Sequence, residues 1–494
     1  MPDAVEPAEV PDVLDTAAAG GIVVRGGAIR VGGFVAGTIV SLAGVVLLTR
    51  HLGTGDYGRY QTVVSFVAIV QALTDAGMAA LGVREYTQRS GPERDRLMRV
   101  ILGLRIALTG SGVLLAGVLV ALLDYPTEMI VGVVLMGIAL VFGLLQATVQ
   151  IPLAAELRLG RITALDFTRQ ALSAAAIVVL VLGGAGLVPL FASTIPVQVL
   201  ILVWTVVLVR GRIPLRPTFS AVAWRELLRP AIAVALATTV GIVYLYTAQI
   251  ITSLVGTAEE TGLFAASFRV FILAAAVPGI LVTSAFPVLA RAARDDPRRL
   301  AGAVRGLFEG TLLLGGAAAV ACILGAGPII AVIGGSDYAD AAAVLRIQGG
   351  VLMLTFVMST LGFTLLALHR HRALGGANLA ALLVVCVATP LLVRTAGAEG
   401  AAWATLLGEL CLGAGYLIAL GDRPELQPRP VAILRVLVAG GAGCAAVLIP
   451  GLGEELQTVV GLLVFAAVAV LVRAVPPGVT AQLPGPLSRL PSSA

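Results

Sequence analysis

A chain of 494 residues, 58% hydrophobic and only 12% charged, has too much apolar surface to fold as a water-soluble globule. Its formal charge of +5 comes from arginines dispersed between apolar runs, which excludes a nucleic-acid surface. All 33 basic residues are arginine, and the four cysteines (Cys322, Cys386, Cys411 and Cys444) lie in apolar runs with no metal-binding spacing.

The chain opens on MPDAVEPAEVPDVLDT, acidic and proline-rich where a secretory leader would be basic. Residues 1–27 are expected to form a disordered tail that becomes interfacial near 19–30. Fourteen apolar stretches then follow, each near the 18–20 residues needed to cross hydrocarbon. They cover 28–49, 60–82, 100–123, 129–154, 163–182, 188–209, 230–253, 263–288, 303–325, 341–367, 375–393, 400–420, 431–450 and 456–474. The end, 475–494, reads as a second polar tail.

The loops test that count. With the N-terminus inside, 26 arginines fall in cytoplasmic segments and three (Arg50, Arg59, Arg394) in outer ones. Such a bias predicts an even number of spans with both termini cytoplasmic.

The chain also echoes itself. LGTGDYGRY (52–60) and VGTAEETGLF (255–264) align Gly53 with Gly256, Thr54 with Thr257 and Gly58 with Gly262. Further on, AAELRLGRITALDF (154–167) faces LALHRHRALGGANL (366–379). Two similarly oriented six-span lobes are expected, at 28–210 and 230–420, joined by a cytoplasmic linker at 211–229. Two added helices lie within 431–474. Paired lobes of this kind bind a substrate between them and alternate access by rocking.

Charged groups inside spans are costly unless they face a cavity or a partner. Arg269 and Arg346, which lie inside spans 8 and 10, are candidate cavity residues. Arg50, Tyr244 and Gln249 are further candidates for substrate contact. Glu409, the deepest acid, and Asp75, expected beside Arg84 or Arg105, are candidates for coupling or gating. No catalytic constellation, cofactor motif or metal site stands out. An enzyme reading has no residues to rest on.

The turn LGTGDYGRY, the TDAG…REY run (74–86), GLFAASFR (262–269), FPVLAR (286–291), LLALHRHRALGGANL and TAGAEGAAWATLLGE (395–409) together resemble the multidrug/oligosaccharidyl-lipid/polysaccharide (MOP) flippases. Within that superfamily they look most like the polysaccharide, or O-antigen-type, branch. The resemblance spans about 28–420. It implies an all-α membrane protein with a V-shaped central cavity. It also implies movement of undecaprenyl-diphosphate-linked oligosaccharide to the outer leaflet, amid membrane lipids and alongside polymerase and glycosyltransferase partners. A cation-coupled small-molecule exporter and a lipid II flippase share the fold and stay as alternatives. Arg269 matches a cavity arginine of the lipid II branch. The arginine which that branch carries in span 1 is absent from TIVSLAGVVLLT (38–49).

Overall fold

The computed structural model describes residues 17–475, apart from 76, 230, 231 and 450. The expected tails at 1–16 and 476–494 lie outside the described residues. Residues 17–27, expected to be tail, are helical and continue into the first span.

All regular structure described is helical. The first half contains α1 (Ala17–Asp75), α2 (Met78–Gln88), α3 (Gly91–Leu122), α4 (Thr127–Val149), α5 (Ile151–Ala155), α6 (Leu159–Leu182), α7 (Leu187–Ala192) and α8 (Thr194–Leu208). A short amphipathic helix, α9 (Ala221–Leu228), lies between the halves. The second half contains α10 (Ile232–Val255), α11 (Ala258–Asp295), α12 (Pro297–Leu324), α13 (Ala326–Gly334), α14 (Ala341–Ala367) and α15 (His371–Ala419). Last come α16 (Pro430–Cys444) and α17 (Glu454–Leu471).

Twelve described segments are long and apolar enough to cross a membrane. The two longest, of 40 and 49 residues, could each cross twice: at 1.5 Å per residue, forty residues reach about 60 Å, twice the hydrocarbon thickness. Both break where a backbone must leave helical space. The break in α1 is at Gly53 (φ 67°), and that in α15 is at Ala396 and Gly397 (φ 53°). Each therefore supplies two spans, giving the fourteen read from the sequence: two six-span lobes and two added helices. The exposed large side chains are those of a lipid-facing belt, such as Leu114 (70%), Val179 (69%) and Leu182 (83%). The chain is a multi-pass membrane protein.

One local expectation is corrected, and one link gains structure. Span 2 ends at Asp75 rather than 82, because Gly77 takes a left-handed conformation (φ 72°) and α2 starts anew. The link between spans 9 and 10, for which no element is predicted from the sequence, folds into α13 and a single 3-10 turn, Ser336–Tyr338.

Helix starts follow ordinary capping chemistry. Thr257 and Glu260 form a capping box on α11, with the Glu260 amide donating to Thr257 Oγ1 (3.1 Å) and the Thr257 amide to Glu260 Oε2 (2.8 Å). Asp296 caps α12, with Pro297 at its first turn.

The two echoed turns meet. A Cβ on Gly58 would sit 2.7 Å from the Gly262 amide nitrogen and 2.8 Å from the Ala258 carbonyl. One on Gly262 would sit 1.9 Å from the Thr54 carbonyl. The backbones touch here, on the face that carries few arginines, and no side chain fits between them. Other contacts join the lobes on the same face. Tyr125 Oη lies 2.7 Å from Ser253 Oγ, and Tyr338 Oη donates to the Thr49 carbonyl (3.2 Å). Towards the arginine-rich face, Thr239 Oγ1 donates to the Ala72 carbonyl (3.2 Å). The lobes thus touch at both ends of the space between them.

Candidate functional site

Between those contacts lies a cavity of about 590 Å³. Its walls come mainly from the first lobe: α1, α4, α6 and α8, with Arg269 of α11 reaching in from the second. Towards the arginine-poor face, aromatic rings close it. Tyr57 and Tyr60 stack with centroids 6.4 Å apart, Tyr60 stacks on Phe191 at 5.4 Å, and Tyr57 meets Tyr338 edge-on at 6.2 Å. Further along α1 and α6, the wall turns polar.

Three charged side chains line the cavity. Asp166 and Arg169, one turn apart on α6, form an ion pair of 2.7 Å. Arg269 has no carboxylate within ion-pairing distance among the described residues, and its Nε is buried without a hydrogen-bond partner. It stands eleven residues inside α11, about 16 Å along the helix axis. A guanidinium at that depth is costly unless it faces a cavity or a partner, and Arg269 faces the cavity.

The other sequence candidates lie elsewhere. Arg50 donates to the Ala331 (3.1 Å) and Val332 (2.9 Å) carbonyls, so it caps the last turn of α13. Arg346 stands near the start of α14, 3.6 Å from Glu454 at the start of α17, so its neutralising partner is on the added helices. Tyr244 is buried in the second lobe and donates to the Thr405 carbonyl (3.4 Å). Gln249 is fully buried, its Nε2 donating to the Thr261 carbonyl (3.4 Å). These four do not line the cavity; apolar packing or a local acceptor turns each away. Of the five substrate candidates, Arg269 alone does.

Glu409 is buried in the second lobe (3% exposed) beside Tyr244 and Thr355, and its Oε2 has no hydrogen-bond partner. Asp75 accepts from Arg105 at 2.6 Å, the second of the two partners expected for it. Arg105 is 1% exposed and also donates to the Thr74 carbonyl (3.3 Å).

The sequence search missed the glutamines. Gln61, Gln71, Gln146, Gln150, Gln170 and Gln198 all line the cavity. Each stands in or at the end of an apolar run, so the signal was present, but the one amide singled out from the sequence, Gln249, is not among them.

Against known proteins, the family described as polysaccharide biosynthesis protein matches residues 47–343. No curated relative matches the sequence. Among solved structures, the chain is similar to the lipid II flippase MurJ in an inward closed conformation (TM-score 0.75, 13% identity, covering 90% of this chain and 98% of that one). It is also similar to an inward-facing multidrug resistance MATE family transporter of the MOP superfamily (TM-score 0.66, 15% identity, 79% and 95% covered). A third is a MOP superfamily transporter from Pyrococcus furiosus (TM-score 0.58, 15% identity, 83% and 96% covered). At these identities the likeness is one of fold.

Proposed function

The chain belongs to the polysaccharide biosynthesis protein family, within the MOP flippase superfamily, and from that premise we propose that it flips a lipid-linked oligosaccharide across the membrane. The substrate is an oligosaccharide on undecaprenyl diphosphate, taken up at the cytoplasmic leaflet and released at the outer one.

One observation carries this reading: Arg269, unpaired, in a polar cavity within an otherwise apolar bundle. A diphosphate supplies the missing anion, and the guanidinium fork can engage two of its oxygens at once. The polyprenyl tail needs no binding site, because it stays in lipid while the cavity shields the head group. The lobes, placed at 28–210 and 230–420, rock about their mutual contact, which opens first one face and then the other. The protein makes and breaks no covalent bond. The arginine-rich face, and with it both termini, is assigned to the cytoplasm.

A small-molecule exporter would have a different task for the same cavity. Asp166, the one acid among the cavity's described residues, is already neutralised by Arg169, so a cationic drug finds no free carboxylate among them. A strain lacking the protein should accumulate undecaprenyl-linked repeat units on the cytoplasmic side. The wild-type gene should restore export, and Arg269→Ala should restore less than about a tenth of it at normal membrane abundance. Heightened drug sensitivity without lipid accumulation would refute the flippase reading.

A further inference from the structure

The charge on the cavity wall is concentrated at one point. Arg169 and Asp166 cancel at 2.7 Å, which leaves Arg269 as the free charge among the cavity's described residues. The rest of the polar wall is uncharged, and six glutamines dominate it: Gln61, Gln71, Gln146, Gln150, Gln170 and Gln198. A primary amide offers two donors and an acceptor with two lone pairs, the same mixed pattern that a sugar hydroxyl presents.

Two of these amides have capacity to spare. The Gln198 Oε1 is buried with no partner. The Gln71 side chain is exposed and makes no hydrogen bond to the protein among the described residues. Gln146 is held in place, its Nε2 donating to Gln150 Oε1 (2.8 Å) and Thr205 Oγ1 (3.3 Å). The stacked rings of Tyr57 and Tyr60 at one end add flat apolar faces of the kind on which sugar C–H groups pack.

We infer that this amide wall is the glycan-binding face, and that the glycan it takes is uncharged: hexoses or N-acetylated amino sugars without uronic acids. The inference rests on the function proposed above, since Arg269 must be occupied by the diphosphate. With Arg269 so engaged and Arg169 bound to Asp166, a sugar carboxylate would shed its water and find no free cation. Hydroxyls and acetamido groups exchange water for amides at little cost.

Binding to the purified protein in lipid nanodiscs tests this with three probes. They are polyprenyl diphosphate without sugar, the same lipid carrying a neutral trisaccharide, and that trisaccharide with one hexose replaced by glucuronate. The neutral glycolipid should bind about tenfold or more tighter than the glucuronate form. Gln71→Leu with Gln198→Leu should weaken the neutral glycolipid about tenfold, the value of one or two hydrogen bonds, and leave the sugar-free lipid unchanged. Should the double variant not fold, Gln198→Leu alone gives the same reading, since its acceptor has no partner to lose. Equal or tighter binding of the glucuronate form overturns the inference. So does an equal loss for sugar-free and glycosylated lipid in the glutamine variants. If none of the three lipids binds, or if Arg269→Gln weakens none of them, the translocation reading itself falls.

Discussion

At the scale of single residues, two ion pairs show how a charge depends on its partner. Arg105 is almost wholly buried and relies on Asp75. Removing Asp75, itself 38% exposed, leaves the buried guanidinium without its carboxylate, so Asp75→Ala should cost about 2 kcal/mol. The melting temperature of the solubilised protein should drop accordingly, and Asp75→Ala with Arg105→Met should recover most of the loss. A second pair lies at the arginine-rich face, between the span 10–11 and span 12–13 turns. Asp422 accepts from both Arg370 terminal nitrogens, one at 2.6 Å, and the hydrogen bond holds its carboxyl below the ordinary 3.8. A lowered carboxyl pKa stabilises the fold above 3.8, and that contribution fades as pH falls through the folded value. Wild type should therefore melt above Asp422→Asn at neutral pH. The gap should close well below pH 3.8, and a gap that persists there would contradict the assignment. The sequence placed Arg269 inside a span, but did not show that Arg346 finds Glu454, far along the chain on the added helices. Span membership can be read from one helix, whereas the identity of a partner needs two.

At the scale of elements, apolar length and arginine alternation sufficed to find fourteen spans, because the bilayer imposes both. They did not find α13 or the break at Gly77. Those depend on packing and on a left-handed backbone rather than on hydropathy. The glutamine wall escaped for a related reason: hydropathy does not tell which span amides share a surface, and only the folded bundle brings six of them together while leaving Gln249 apart. The contact between α1 and α11 leads to a prediction of its own. A methyl group added at Gly262 would sit 1.9 Å from the Thr54 carbonyl, which belongs to rigid backbone. Gly262→Ala should prise the arginine-poor face apart. A cysteine at position 61, in a background free of other cysteines, should then react faster with a membrane-impermeant thiol reagent added outside the cell. An unchanged rate would show that this contact does not hold the face closed.

For the whole molecule, the arrangement fixes a sidedness that can be measured. Alkaline phosphatase fused after Asp124 should be active and fused after Arg216 inactive, since the enzyme matures only outside the cytoplasm. The reverse pattern would invert the direction of transport proposed here. The fold was largely legible in advance and the cavity only in part, because the fold is a matter of span count, while the cavity depends on which helix faces meet. The Gly58–Gly262 contact brings a last consequence. Positions that match across an internal repeat, and that also touch, lie on the axis relating the two halves. In a dimer of identical single-lobe chains, such a position would face its own copy, and any mutation there would occur on both sides at once. Fusion into one chain frees each side to vary alone, so the two lobes can diverge in chemistry, one lining the cavity with amides and the other contributing a single guanidinium.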